Sequence, residues 1–319
     1  MASSKILILG ANGQIGTVLA SALRNRWGDD QVVCSDIKPS VQPVGIHEVI
    51  DVLDKEAILA IIRKYEIRQV YHLAAILSAK GEQDPISTWN INMQGLLNVL
   101  ELAVECKLEK IFYPSTIAIY GPTTPKIMTP QHSVFIPTTV YGISKHSGEL
   151  WCNYFNKRYG LDVRSLRYPG VVGWQSDPGG GTTDYAVEIF HEALKKGVYS
   201  CFLESDTRLP MIYMEDCIRA TLELMEAPSE SIHVRTSYNL AGMSFTPEEL
   251  ANEIRKHLPD FQIRYHPDFR QAIAKSWNES IDDTEARRDW GWNPQYNLER
   301  MTSDMIFQLR KKYNHSNIE

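Results

Sequence analysis

Two stretches of the chain hold side chains whose chemistry can move a proton. In "TVYGISK", Tyr141 and Lys145 stand four residues apart, a spacing that brings both onto one face of a helix. A free phenol titrates near ~10, too high for a base at neutral pH. A lysine ammonium and a second positive charge beside it would favour the phenolate. Lowering the phenol by about 2 units needs roughly 3 kcal/mol, within reach of two close charges. Upstream, "FYPSTIAIYG" delivers Ser115 and Thr116 at the end of a strand-like run. A Tyr–Lys pair at this spacing recurs by chance in many helices, so an exposed helical pair is the alternative its neighbours must displace.

Those neighbours include a phosphate cradle. "GANGQIG" places Gly10, Gly13 and Gly16, with Gln14 and Ile15 between the last two, directly after an apolar strand and at the opening of a helix. The first glycine permits the tight turn, the second close approach of a pyrophosphate, and the third close packing of helix on strand. The helix N-terminus then faces the phosphate charge. Asp36 ends the next strand ~20 residues on, where an acid receives the adenosine ribose hydroxyls. Asp36 also selects the cofactor. Its carboxylate accepts from the 2′-hydroxyl of NAD but repels the 2′-phosphate of NADP, a repulsion that Lys38 only softens. The sequence predicts NAD.

Such residues need a scaffold that presents strand ends side by side. As far as Tyr168, apolar runs alternate with amphipathic stretches. Strands are expected at "KILILG", "QVVCSD", "QVYHLAA", "KIFYPST" and "DVRSLRY", and helices over 14–27, 54–65, 86–107 and 141–159. Continuous apolar strands separated by helices are what a parallel sheet covered on both faces requires. The fold class predicted is α/β, a Rossmann-type doubly wound parallel sheet. After Tyr168 the rhythm loosens into proline- and glycine-rich loops with shorter helices, read as a smaller C-terminal substrate-binding lobe. The expected division is 1–174 with a return over 211–241 for the dinucleotide domain, and 175–210 with 242–319 for the lobe.

The bulk properties narrow the function classes. With 43% hydrophobic residues, 319 residues suffice for a large core. A net charge of -6 disfavours nucleic acid and anionic membranes as partners. No apolar run approaches the ~20 residues that span a bilayer. The strand "KILILG" begins too early to leave room for a leader, so a cytoplasmic protein is expected. The five cysteines (Cys34, Cys106, Cys152, Cys201, Cys217) form no CxxC pair and the nine histidines no HExxH. Neither a disulfide framework nor a metal is expected.

In order and interval, the glycine turn, the strand-end Ser115–Thr116 and the Tyr141–Lys145 pair resemble the extended short-chain dehydrogenase/reductase family, over essentially the whole chain. The resemblance implies that Thr116 holds a substrate hydroxyl and that Tyr141 removes its proton. Lys145 would lower the Tyr141 pKa and bind the nicotinamide ribose. By the same resemblance Asp51 and Val52 flank the adenine, and Leu73, Ala74 and Ala75 line the phosphate–ribose track. Asn92 matches a structural asparagine, and Tyr168 borders the nicotinamide.

Many members of that family are nucleotide-sugar epimerases or dehydrogenases, and three departures argue against that reading. Ile117 and Ala118 stand where dehydratases carry two acids. Pro169 and Gly170 follow Tyr168 where sugar-nucleotide enzymes carry an asparagine. Leu209 replaces a diphosphate-binding arginine, with Arg208 adjacent. Instead, "PGGGTTDYAV", "LPMIYMEDCIRA" and "AKSWNESIDDTEARRDWGW" resemble the family's short-chain-type L-threonine 3-dehydrogenases. So does "LSAKGE", with Ser78 reaching the substrate. That resemblance implies NAD-dependent, metal-independent oxidation of the L-threonine 3-hydroxyl to 2-amino-3-oxobutyrate. In the wider family the two long helices pair as a four-helix bundle, so a homodimer is expected.

For so small a zwitterion, Ser78 and Ser115 are expected on the substrate side. Thr182 and Thr183, at a helix start, offer donors to the carboxylate, and Asp184 an acceptor to the ammonium. The plainer alternative is a flexible connector, with Asp184 capping the helix. Trp277 is expected to pack rather than to bind. A dinucleotide sensor without chemistry is the competing class, and the complete Thr116, Tyr141, Lys145 set speaks against it.

Overall fold

The computed structural model describes residues 5–40 and 44–316. Residues 1–4, which bear on the expected absence of a leader, lie outside the described residues. The chain opens with strand β1 (Lys5–Leu9), helix α1 (Gln14–Trp27), β2 (Val32–Asp36) and β3 (Ile46–Val49). It continues through α2 (Lys55–Tyr65), β4 (Ile67–His72), the short α3 (Ser78–Gly81), α4 (Pro85–Glu105), β5 (Lys110–Thr116), α5 (Val140–Tyr159) and β6 (Val163–Tyr168). Then follow β7 (Gly170–Val172), α6 (Tyr185–Lys196), β8 (Val198–Cys201), β9 (Leu209–Tyr213), α7 (Met214–Glu226), β10 (Tyr238–Asn239) and β11 (Met243–Phe245). The last elements are α8 (Pro247–Arg255), β12 (Gln262–Tyr265), α9 (Phe269–Ser276), α10 (Thr284–Trp290) and α11 (Leu298–Ser316).

Seven parallel strands form the main sheet in the order β10-β6-β5-β4-β1-β2-β3. The winding reverses between β1 and β4. In such sheets that reversal opens a crevice at the carboxyl ends of the strands, where ligands bind. The central strands are apolar on both faces because helices cover both. Ile6, Ile8, Phe112 and Leu166 pack with Leu19 of α1 and Leu224 of α7. Leu7, Ile111, Tyr113 and Val163 pack with Ile58, Leu96 and Phe155 of α2, α4 and α5. Side chains of Asp54, Asp84 and Thr139 cap these last three helices, each satisfying an amide that the helix start leaves unpaired.

The expected doubly wound parallel sheet is therefore what forms, with two strands more than the five of the sequence reading, the edge strands β3 and β10. β3 is an edge strand and its residues stay half-exposed, so it lacks the continuous apolar run that marks the central strands.

A three-stranded sheet (β11-β9-β7) and the β12-β8 pair build the smaller lobe. Its core gathers Tyr185, Phe190, Leu209, Phe245, Leu250, Trp277 and Leu309. Trp277 is a packing residue. The region around α10 packs on the main sheet. Ala286 and Trp292 join the main-sheet core beside α7, and the Trp292 indole N–H donates to the Ala241 carbonyl at 2.9 Å. No described helix is long and apolar enough to cross a membrane.

Candidate active site

The crevice begins at the turn after β1. Gly10 has a φ of +86°, and a Cβ placed there would lie 2.6 Å from the Ala74 amide nitrogen. Only glycine lets the turn press against the end of β4. Gly13 is a different case. A Cβ there would meet only the Gly10 carbonyl, at 3.4 Å, so the protein itself leaves that space open above the N-terminus of α1. Gln14 and Ile15 form the first turn of that helix, half-buried. Asp36, at the tip of β2, accepts from the Asn12 amide at 3.1 Å and the Lys38 amide at 3.3 Å.

The neighbouring strand ends complete the groove. Leu73 is tied by its amide to the Leu9 carbonyl at 2.8 Å, and Ala74 and Ala75 continue from it. After β3, Asp51 is exposed and accepts from the Leu53 amide at 2.9 Å. Val52 is buried, and its carbonyl is held by Asn98 at 2.9 Å. An open glycine turn, a helix N-terminus and a strand-end carboxylate fit an adenine dinucleotide.

The reactive side chains meet at the ends of β5 and α5. Thr116 accepts from the Ala118 amide at 3.2 Å, and its hydroxyl lies near enough to the Tyr141 phenol to favour its ionised form. Tyr141 sits in the first turn of α5, where Thr139 accepts from the Gly142 amide at 3.1 Å and the Glu82 carboxylate accepts from the Val140 amide at 2.8 Å. One turn on, the buried Lys145 ammonium donates to the Pro114 carbonyl at 2.8 Å. It also lies 4.4 Å from the centre of the Tyr113 ring and 5.9 Å from that of Tyr141, within cation–π range of both.

Burial dominates the electrostatics. It pushes the Tyr141 phenol up to about 12, against the lowering effect of the Thr116 hydroxyl. It pulls the Lys145 ammonium down to about 7, opposed by the Cys152 thiol. The sequence reading has Lys145 and a nicotinamide charge together bring the phenol down, and burial is what they must overcome. The ammonium is turned to a carbonyl and an aromatic face, and desolvation outweighs its pull on Tyr141.

Asn92 is a structural link. It exchanges hydrogen bonds with both backbone groups of Ile76 and donates to Ser144 at 3.1 Å, and Ser144 donates to the Tyr141 carbonyl at 2.8 Å. Two expected ligand contacts are placed elsewhere. The Ser115 hydroxyl donates to the Glu149 carboxylate at 2.5 Å, buried beneath α5 rather than open to a substrate. The Tyr168 ring turns into the main-sheet core, packing against Phe112 with its hydroxyl bonded to Thr221. Only its backbone stands at the strand end.

Ser78 opens α3 and is largely buried. Thr182 is buried and its hydroxyl has no hydrogen-bond partner among the described residues, while the Thr183 methyl faces Gly170. Asp184, the residue before α6, turns its carboxylate into the glycine segment. One of its oxygens accepts from the Gly179 and Gly181 amides at 2.7 and 2.8 Å, and it makes no side-chain cap bond to α6. It folds the glycine loop back on itself. Arg208, adjacent to the missing diphosphate arginine, is spent on the Ser244 carbonyl and Glu249.

The sequence pattern of the NAD dependent epimerase/dehydratase family matches residues 6–241. The chain belongs to this family. Among curated relatives, the mitochondrial L-threonine 3-dehydrogenase of Bos taurus is 49% identical over 95% of this chain and 82% of its own. A GalE-like L-threonine dehydrogenase from Cupriavidus necator, solved in its holo form, is 55% identical. It superposes with a TM-score of 0.95 over 96% of this chain and 99% of its own. An apo L-threonine 3-dehydrogenase of metagenomic origin, described as monomeric, is 48% identical. Its TM-score is 0.93 over 96% of this chain and 99% of its own.

Beyond the glycine turn and the Tyr–Lys pair, this epimerase/dehydratase chain carries site residues that motif reading passes over. The Pro114 carbonyl holds Lys145, the Tyr113 ring lies beside it, and Ser144 bridges Asn92 to Tyr141. Glu149 and Arg167 form a buried ion pair at 2.8 Å beneath them. The only sequence trace of that pair is a charge on the central strand, Arg167 within "DVRSLRY", and an acid one helical turn after Lys145, Glu149.

Proposed function

We propose that the chain oxidises the 3-hydroxyl of L-threonine to 2-amino-3-oxobutyrate with NAD as cofactor. The observation that carries this reading is the meeting of Thr116, Tyr141 and Lys145 at the head of a dinucleotide groove. The engagement of Arg208 by Glu249 favours a small substrate over a nucleotide sugar, because no free arginine stands there for a diphosphate. Relatives named as L-threonine dehydrogenases, at 49% and 55% identity, support the substrate.

Bound NAD supplies the hydride acceptor and a positive ring charge. Burial disfavours the Tyr141 phenolate, and positive charge beside it is what makes the base available. Thr116 orients the substrate hydroxyl, and the Tyr141 oxygen takes its proton. Lys145, fixed by Pro114 and Tyr113, stabilises the phenolate and offers its ammonium to the ribose. Ser78 and the unpartnered Thr182 hydroxyl are assigned to the substrate, with Thr183 beside them. Asp184 holds the glycine loop that covers it.

We further propose a homodimer through α4 and α5, and location in the cytoplasm, where five unpaired thiols stay reduced. The test of function is NADH absorbance with NAD and a panel of L-threonine, related hydroxy amino acids and UDP-sugars. NADH is expected with L-threonine. Tyr141→Phe is expected to cut kcat by orders of magnitude and leave NAD affinity nearly intact. Epimerised UDP-sugar without net NADH would overturn the reading.

A further inference from the structure

A row of polar side chains crosses the main sheet directly under the reactive residues. In the parallel register Ser115 of β5 pairs with Arg167 of β6, and Arg167 pairs with Asn239 of β10. All three are buried. Register partners share a face, so the three side chains line up under α5, and Glu149 descends onto them from that helix. The Arg167 guanidinium grips the Glu149 carboxylate twice, at 3.0 and 2.8 Å. The Ser115 hydroxyl donates to the same carboxylate at 2.5 Å. Arg167 also donates to Asn239 at 2.9 Å, and Asn239 donates to the carbonyls of Thr129 and Asp282 at 3.0 Å each.

The position of Ser115 gives the row a second meaning. The residue before it supplies the Pro114 carbonyl that holds the Lys145 ammonium. The residue after it is Thr116, whose hydroxyl stands beside the Tyr141 phenol. Glu149 itself lies one helical turn beyond Lys145. A buried ion pair is seldom kept for stability, since apolar residues of similar volume usually serve as well. Buried pairing of α5 with β6, beside Ser115 of β5, is explained if geometry is what it secures.

We propose that Glu149 is a positioning residue: clamped by Arg167, it holds Ser115 and thereby sets the strand end that carries both the Lys145 anchor and Thr116. This rests on the dehydrogenase reading for its kinetic consequences and on the coordinates alone for the rest. The ionisable groups around Tyr141 and Lys145 are Tyr113 from β5, His72 from β4, and Cys152 and Glu149 from α5. His72 is neutral, pulled down to about 3 by burial.

Ser115→Ala removes the tether and leaves the Glu149–Arg167 pair intact. With L-threonine and NAD, and with rates normalised to NAD-binding sites, kcat should fall about tenfold, the scale of a small misplacement of reacting groups. The KM for threonine should stay within about twofold of wild type, because no substrate contact is lost. Ser115→Thr, which keeps the hydroxyl, should recover most of the rate. Glu149→Gln, which still accepts from Ser115 but leaves Arg167 uncompensated, should give the same split. An unchanged kcat in Ser115→Ala overturns the proposal, and so does a raised threonine KM with kcat intact, which would put Ser115 on the substrate. A second readout needs no turnover. The Tyr141 phenolate can be titrated by ultraviolet difference between NAD-bound protein and its Tyr141→Phe counterpart, each with and without Ser115→Ala. The midpoint should move to higher pH as Thr116 and Lys145 loosen, and an unmoved midpoint overturns the proposal whatever the substrate. Wild-type protein inactive on threonine would count against the function reading alone.

Discussion

At Lys145, burial pulls the folded-state pKa down to about 7, well below the ~10.4 of a free lysine. The unfolded chain therefore binds more protons between the two values, and stability rises with pH across that window. The destabilisation is complete below the folded value and vanishes above the unfolded one. Lys145→Met keeps the length and drops the charge. It should raise the Tm of the NAD-free protein by on the order of 5 °C below neutral pH, with the gain shrinking towards pH ~10, while activity is lost. Thermal melts across that range measure it, and a gain independent of pH would mean that Lys145 is not desolvated. Asp36 makes the second test at this scale. Its carboxylate repels a 2′-phosphate, so NAD should exceed NADP in kcat/KM by on the order of 100-fold, about 2.7 kcal/mol. Asp36→Ala should narrow that gap and also raise the KM for NAD, because the Asn12 and Lys38 amides lose their acceptor. Equal kcat/KM for the two cofactors in the wild type would remove Asp36 from cofactor selection.

The loop that joins β7 to α6 is tied together by its own residues. Gly180 has a φ of +88°, and Asp184 accepts from the amides on either side of it. A carboxamide oxygen can accept both bonds as well. Asp184→Asn should therefore hold the KM for threonine within about threefold of wild type, less than 1 kcal/mol, while Asp184→Ala releases the loop and raises KM about tenfold or more. A tenfold rise in Asp184→Asn itself would return Asp184 to the ammonium. Central strands were legible because both faces are covered and the apolar runs are unbroken. Period two, however, sends Ser115 and Thr116 to opposite faces, so both could not reach one substrate. It likewise sends Tyr168 inward beside Leu166, into the core under α7. The cofactor groove was legible because glycine spacing and a strand-end acid are local. The Arg167–Glu149 pair was not, because it joins β6 to α5 through a register that only the folded sheet creates.

At the scale of the whole molecule, α4 and α5 lie against each other on one side of the sheet and leave large apolar side chains uncovered. Ile86 and Trp89 of α4 and Ile143, Leu150, Trp151 and Tyr154 of α5 are all exposed. Soluble monomers rarely carry so many large apolar groups on two adjacent helices. A two-fold axis would set this surface against its own copy and bury each side chain twice, joining four helices. A relative described as monomeric at 48% identity makes the association a property to be tested rather than one the fold imposes. Light scattering on the purified protein should give twice the 36.4 kDa chain mass. Leu150→Asp combined with Trp151→Glu should give the single chain, since two charges cannot be buried unpaired at an interface core. The inner face of α5 carries Tyr141, Lys145 and Glu149, and the outer face carries the contact. Monomerisation should thus lower kcat by only about two- to fivefold, the scale of a loosened support rather than of a lost catalytic group. A wild-type protein of single-chain mass at every accessible concentration would overturn the dimer and leave the exposed helices to another partner.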